Sequence, residues 1–250
     1  MVALEIDNVY VQFGGLQVLS SCSLSIEAGE KRALIGPNGA GKTTLFNVIS
    51  GMIKPTAGRV LAFQREITAS PAHVRASLGL ARTFQITNLF INLSVLDNIF
   101  LGLQALTPTK YVFYKTTTSF SGLIDQAVAL LKKWGLENKK DHLLGSLSHG
   151  EQRQLEIILA LASQPKILLL DEPTQGLSTA ETAMVVPMVR SLDPSTTVLF
   201  IEHDMDVAFQ MADRITVLNY GTVLAEGTEE EIRSNPKVSE VYLGLDGNEE

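Results

Sequence analysis

Cysteine is nearly absent: Cys22 is the only one in 250 residues. That excludes an internal disulfide and any multi-cysteine metal cluster, and it fits a reducing compartment, the cytoplasm. Basic charge is also scarce, with 20 Lys and Arg against 27 Asp and Glu and a formal net charge of −7. This is the wrong sign for a protein that lives on phosphate backbones, so nucleic acid is set aside as a partner. No apolar run approaches the roughly 18 residues that cross a bilayer. Ile157–Ala162 is closed by Ser163–Lys166, and Ile167–Leu170 by Asp171–Pro173. The start carries Glu5 and Asp7 where a secretory signal would have a basic segment and an apolar core. A soluble chain is expected. Internal repeats and low-complexity segments are missing too. Apolar residues are plentiful at 45%, enough to bury one sizeable core, so a single domain over residues 1–250 with an appended subdomain fits.

Residues 1–35 alternate apolar and polar side chains around Gly14-Gly15 and Ala28-Gly29, which predicts short half-buried strands joined by turns. Arg32–Ile35 reads as a buried strand running into a glycine-rich loop, with a helix from about Lys42 to Ser50. Pro55–Phe63 predicts a hairpin, and Pro71–Leu80 a short helix capped by Ser70. The middle, about 88–160, changes to a helical period, clearest over Ile124–Trp134, and predicts an inserted helical subdomain with a loop over Thr107–Gly122. Beyond it, strands at Lys166–Leu170, Thr197–Ile201 and Ile215–Leu218 alternate with helices. The fold class is therefore α/β with a mainly parallel sheet, an N-terminal antiparallel β subdomain and a C-terminal extension from about 228 to 250.

Gly36-Pro37-Asn38-Gly39-Ala40-Gly41-Lys42-Thr43, followed by Thr44, matches the phosphate-binding pattern G-x-x-x-x-G-K-[ST] between a predicted strand and helix, as a P-loop NTPase requires. Gly39 and Gly41 let backbone N–H groups turn inward onto phosphate oxygens, and the helix start adds a positive dipole end. Lys42 is expected on the β- and γ-phosphates of ATP, and the Thr43 hydroxyl on Mg²⁺. Ile167–Asp171 places a carboxylate at the end of an apolar strand, the Mg²⁺ side of such a site. Glu172 follows immediately and suits a general base that orients the attacking water.

With these motifs the chain resembles the nucleotide-binding domains of ABC transporters from about Val2 to Gly227. The resemblance adds Gln85 in Ala81–Gln85, the signature-like Leu147-Ser148-His149-Gly150-Glu151, His203 in Phe200–Asp204, and Phe13 beside Gly14-Gly15. It implies that Gln85 touches Mg²⁺ or the attacking water, that His203 contacts the γ-phosphate and that Phe13 stacks on adenine. It further implies that Ser148 and Gly150 face a nucleotide held by a second copy or a homologue, in a head-to-tail dimer. The signature departs from Leu-Ser-Gly-Gly-Gln at His149 and Glu151, so Glu151 is expected to point away from phosphate. Ser178 stands where the family often has Asp. Phe13–Gly15, Ala81–Gln85, Leu155–Ile157 and Glu240–Gly244 resemble the ATPases of branched-chain amino acid and related amide or urea uptake systems. The alternatives are the ATPases of lipid or lipopolysaccharide export and, from another class, a soluble ABC ATPase of translation or repair. The latter usually has two nucleotide domains or a long coiled-coil insertion. A regulator that no longer hydrolyses ATP is disfavoured by the presence of Glu172, Gln85 and His203. The implied partners are membrane permease subunits, a second nucleotide-binding subunit and, indirectly, an extracytoplasmic solute-binding protein. The implied address is the cytoplasmic face of the membrane.

Overall fold

The computed structural model describes residues 1–83, 89–108 and 120–243. Two sheets organise it. Strands β1 (Val2–Phe13) and β2 (Leu16–Glu27) form a long hairpin, extended by β4 (Ala57–Ala62) and β5 (Arg65–Glu66) into an antiparallel sheet ordered β2-β1-β4-β5. The second sheet is ordered β10-β9-β3-β8-β7-β6 and comprises β3 (Lys31–Ile35), β6 (Leu80–Arg82), β7 (Ile167–Asp171), β8 (Thr197–Ile201), β9 (Arg214–Asn219) and β10 (Thr222–Gly227). Its strands run parallel except β10, which pairs antiparallel with β9.

The period of two along these strands sorts the core into two layers. Ala33, Ile35, Leu168, Leu170, Val198 and Phe200 join the core shared with α3 (Val95–Ala105), α5 (His149–Ala162), α6 (Thr179–Arg190) and α7 (Met205–Met211). Leu34, Ile167, Leu169, Leu199 and Ile201 face the other way, onto α1 (Lys42–Ser50) and the antiparallel sheet. Apolar side chains on both faces are what a covered parallel sheet demands. Between β6 and β7 the chain forms α3, α4 (Ser121–Lys133) and α5. The axes of α3 and α5 close in at Gly102, where a Cβ would lie 2.4 Å from Leu159 Cδ2. Helices α8 (Glu229–Arg233) and α9 (Pro236–Leu243) follow β10.

Several expectations need correction. The first strands are 12 residues each rather than short, because register shifts at points such as Ile6/Val9 let β1 stay paired along its length. The hairpin after Pro55 turns at Phe63-Gln64, both at positive φ, and extends to Glu66. Helix α2 (Ala72–Ser77) takes Pro71, not Ser70, as its N-cap, with no side-chain cap bond, and Leu80 belongs to β6. The Thr107–Gly122 loop ends sooner, since α4 begins at Ser121, while residues 109–119 lie outside the described residues.

Candidate nucleotide site

The phosphate loop leaves the buried end of β3 and enters α1. Gly36 has φ 149, and a Cβ there would sit 2.1 Å from the Leu218 carbonyl oxygen. Gly41, the N-cap of α1 at φ 101, would push a Cβ to 2.8 Å from Leu19 Cδ2 and 3.0 Å from the Val18 carbonyl oxygen. Glycine is therefore required at both positions by backbone conformation and by close neighbours. The loop is also tied at its base: the Gly221 amide donates to the Ala40 carbonyl at 2.9 Å, and the Ser20 amide to Gly221 at 2.9 Å. Asn38, Gly39 and Thr43 are exposed, Pro37 and Thr44 half-buried, Ala40 buried.

Lys42 is only 6% exposed, with its ammonium folded onto the loop, donating to the Gly36 carbonyl at 2.6 Å and the Pro37 carbonyl at 3.0 Å. Burial pushes its pKa down, and the charge of Glu172 acts in the opposite direction. A mobile cation held by two carbonyls inside a glycine cradle can exchange them for phosphate oxygens.

At the end of β7, Asp171 is 1% exposed. Its Oδ2 accepts from Arg82 Nη2 at 2.7 Å, and Arg82 also donates to Asn47 Oδ1 and Ser50 Oγ of α1. Among the described residues Asp171 Oδ1 is a buried oxygen with no hydrogen-bond partner. A buried carboxylate oxygen with no hydrogen-bond partner is the kind of hard oxygen donor that suits Mg²⁺. Among the described residues no group of three His, Cys, Asp or Glu could hold a metal alone. That donor set fits an ion completed by phosphate oxygens and water.

Glu172 is 5% exposed, and its Oε1 shares a 2.6 Å hydrogen bond with His203 Nε2 just past β8. Behind them the buried Glu202 accepts from the Thr174 amide and hydroxyl, at 3.0 and 2.8 Å. Burial raises the Glu202 pKa, and these bonds draw it back. Phe13 ends β1 with 49% of its surface exposed, at the tip of the hairpin whose β2 strand packs on Gly41.

Ser148 is the exposed N-cap of α5, in a reciprocal capping box with Glu151. Glu151 also pairs with Lys139 at 3.2 Å, so its carboxylate is held between its own cap and Lys139. The buried Gly150 amide donates to Glu181 Oε1 at 3.0 Å, and a Cβ there would lie 2.8 Å from Glu181 Cβ. Ser178 caps α6 in a second box with Glu181. These bonds run between the starts of α5 and α6 and not to the loop 36–44. The Gly150 amide and the Ser178 amide and hydroxyl hold the Glu181 carboxyl down to about 2.

The structure thus gathers the phosphate loop, Asp171, Glu172 and His203 at one end of the parallel sheet, and places Ser148 and Gly150 on a separate helix start. Gln85 lies outside the described residues. Sequence reasoning missed Arg82 and Glu181, since an arginine facing a strand-end Asp and a glutamate facing a glycine amide have no local spacing signal. It also missed a role for Tyr242 of α9, whose phenol is pushed up by burial to about 12, with the nearby Gly36 backbone drawing it back.

No helix of the described residues is long and apolar enough to cross a membrane. Residues 19–175 match the ABC transporter family, and residues 222–246 match the segment described as branched-chain amino acid ATP-binding cassette transporter. The chain is 39% identical over 248 residues to the high-affinity branched-chain amino acid transport ATP-binding protein LivG of Escherichia coli, covering 96% of this chain and 97% of that protein. It is 33% identical over 247 residues to the lipopolysaccharide export system ATP-binding protein LptB of the same organism, covering 98% and 99%. Its fold matches the ADP conformation of MJ1267, an ATP-binding cassette of an ABC transporter, with TM-score 0.87, 32% identity and coverage of 98% and 99%. It also matches the dimeric, post-hydrolysis structure of the ATP-binding cassette MJ0796 bound to ADP and Pi, with TM-score 0.72, 28% identity and coverage of 90% and 98%. With a phosphate loop, a strand-end Asp-Glu pair and a family match across most of its length, the chain belongs to the ATP-binding cassette family of ABC transporters, ATPases coupled to transport.

Proposed function

We propose that this subunit hydrolyses ATP to drive uptake of branched-chain or closely related amino acids or amides, docked on permease subunits at the cytoplasmic face of the membrane. The observation that carries the substrate class is the match of residues 222–246 to the branched-chain amino acid segment. The higher identity to LivG than to LptB, 39% against 33%, points the same way. Near-complete coverage of LptB supports a second reading, lipid or lipopolysaccharide export.

In this account Lys42 leaves the Gly36 and Pro37 carbonyls for the terminal phosphates of ATP, while amides of the loop 38–43 cradle them. Thr43 and Asp171 Oδ1 would hold Mg²⁺, together with Gln85; when bound, the ion supplies charge neutralisation at the phosphates. Glu172 orients and polarises the attacking water, and His203, hydrogen-bonded to it, holds its carboxylate and contacts the γ-phosphate. Phe13 stacks on adenine. Two copies, or this chain and a homologue, close head to tail so that Ser148 and Gly150 meet the nucleotide on the partner's loop. For the Gly150 amide to reach that phosphate it must leave Glu181, so closure includes a local exchange of anions at the start of α5. ATP favours the closed pair, and loss of the γ-phosphate reopens it.

The test is to co-purify the intact membrane complex and measure phosphate release with candidate solutes delivered by the extracytoplasmic binding protein. Stimulation by a branched-chain amino acid or amide is expected. Stimulation by lipid alone overturns uptake in favour of export.

A further inference from the structure

Glu172 occupies the left-handed region at φ 49. A non-glycine residue stays there only where its surroundings over-determine it. One grip is His203 on the carboxylate. The other is on the backbone and comes from a different element. Arg153 of α5 spans the corner after β7: its Nε donates to the Pro173 carbonyl at 2.9 Å, and its Nη2 to the carbonyls of Asp171, at 3.2 Å, and Glu172. Its Nη1 is anchored to Glu156 Oε2 at 2.6 Å, with the two side chains 12% and 9% exposed. Arg153 spends its donors on three consecutive carbonyls and one carboxylate of its own helix, so the corner and the helix form one rigid piece. A planar guanidinium can do this because its donors are fixed in a fork; a lysine offers one nitrogen and cannot reach all three carbonyls.

We propose that Arg153 is a positioning residue for ATP hydrolysis: it fixes the backbone corner that aims Glu172, and it makes that aim depend on α5, the helix whose Ser148 end faces the partner's nucleotide. The proposal rests on the reading of Glu172 as general base and of Ser148 as the partner-facing group. Helix α5 is continuous from His149 to Ala162, so Arg153 sits little more than one turn from the capped end. A partner γ-phosphate that draws on the start of α5 shifts the Arg153 clamp with it. Each chain's base would then be set by the nucleotide in the opposite site, a physical route for one site to sense the other that leaves Ser178 out.

The experiment uses the full chain with Arg153→Met, Arg153→Lys, Arg153→Ala and, in parallel, Glu172→Gln, each first checked for folding by circular dichroism and thermal unfolding. A displacement of about 1 Å at the reacting group costs about 10²-fold in rate. Arg153→Met should therefore lower kcat by about 10²-fold, while KM for ATP, set by the loop 36–44, stays within about twofold and Mg-ATP still drives dimer formation. Arg153→Lys keeps the charge and perturbs folding least, and should behave like Met. Millimolar methylguanidinium added to Arg153→Ala should restore part of kcat, which a general loss of stability would not allow. The proposal is overturned if folded Arg153→Lys and Arg153→Met keep kcat within threefold of the parent, or if kcat falls together with a rise in KM and no rescue. Glu172→Gln separates the two failures: full hydrolysis there sinks the assignment of the base, whereas its loss beside intact hydrolysis in the Arg153 variants sinks only the clamp.

Discussion

Replacing Arg75 by Met tests the support beneath the phosphate helix. Arg75 is 1% exposed and donates to four backbone carbonyls: Ser70 at 2.9 Å, Val48 at 2.6 Å, Ile49 at 2.7 Å and Thr68 at 3.1 Å. Val48 and Ile49 lie in the last turn of α1, so a buried guanidinium closes the end of the helix that begins at Lys42. Gly51 follows, and a Cβ there would sit 2.8 Å from Arg75 Nε, so the close fit is built from both sides. Met fills similar space but donates nothing. Val48 keeps its bond from the Gly51 amide, leaving three carbonyls short of a donor. At about 1–2 kcal/mol each, with part returned because no charge is buried, the net loss is about 3 kcal/mol. For a chain of this length that lowers Tm by about 6–12 °C. Differential scanning calorimetry at neutral pH, with and without Mg-ATP, reads the shift. A Tm within 1 °C of the parent would refute the carbonyl accounting, and a drop with Lys42-dependent ATP binding unchanged would mean that α1 does not need its closed end.

Ser148→Ala should leave ATP binding by the monomer unchanged and lower hydrolysis by the dimer, because the phosphate it serves belongs to the opposite chain; equal loss of monomer binding, read by fluorescent-nucleotide titration, would contradict the sandwich. The Glu181 carboxyl is held at about 2 against an ordinary 4.5 by the Gly150 amide and Ser178. The stability from that bonding is complete above pH 4.5 and is lost as pH falls from there toward 2. Glu181→Gln should therefore flatten the decline of Tm over this window, and an unchanged slope would show that Glu181 does not tie α5 to α6.

The phosphate loop, α1, the strands Thr197–Ile201 and Ile215–Leu218 and the α/β class were legible because each follows from local pattern: a buried run, a glycine cradle, a period of two or of 3.6. The β1–β2 hairpin was read too short because bulges hide the continuity of a twisted strand from its alternation. Strand β6, three residues at a sheet edge, is too short to carry a period at all. Ser70 looked like a cap by residue type, but its carbonyl serves Arg75 instead. Arg82, Arg153 and Glu181 act between separate elements, 89 residues apart for Arg82 and Asp171, 31 for Glu181 and Gly150, and 19 for Arg153 and Glu172. Such pairs appear only once the fold brings strand ends and helix starts together.

Replacing Glu172 by Gln keeps size and hydrogen-bonding shape and removes the charge that polarises water. Loss of a general base lowers the rate by about 10² to 10⁴, roughly 3 to 5 kcal/mol of barrier, enough for a closed dimer to outlast a gel-filtration run. The most direct measurement compares elution of Glu172→Gln with Mg-ATP, with Mg-ADP and without nucleotide, alongside phosphate release. The account predicts a dimer with Mg-ATP alone and no phosphate release; a monomer under all three conditions, or undiminished release, would contradict it.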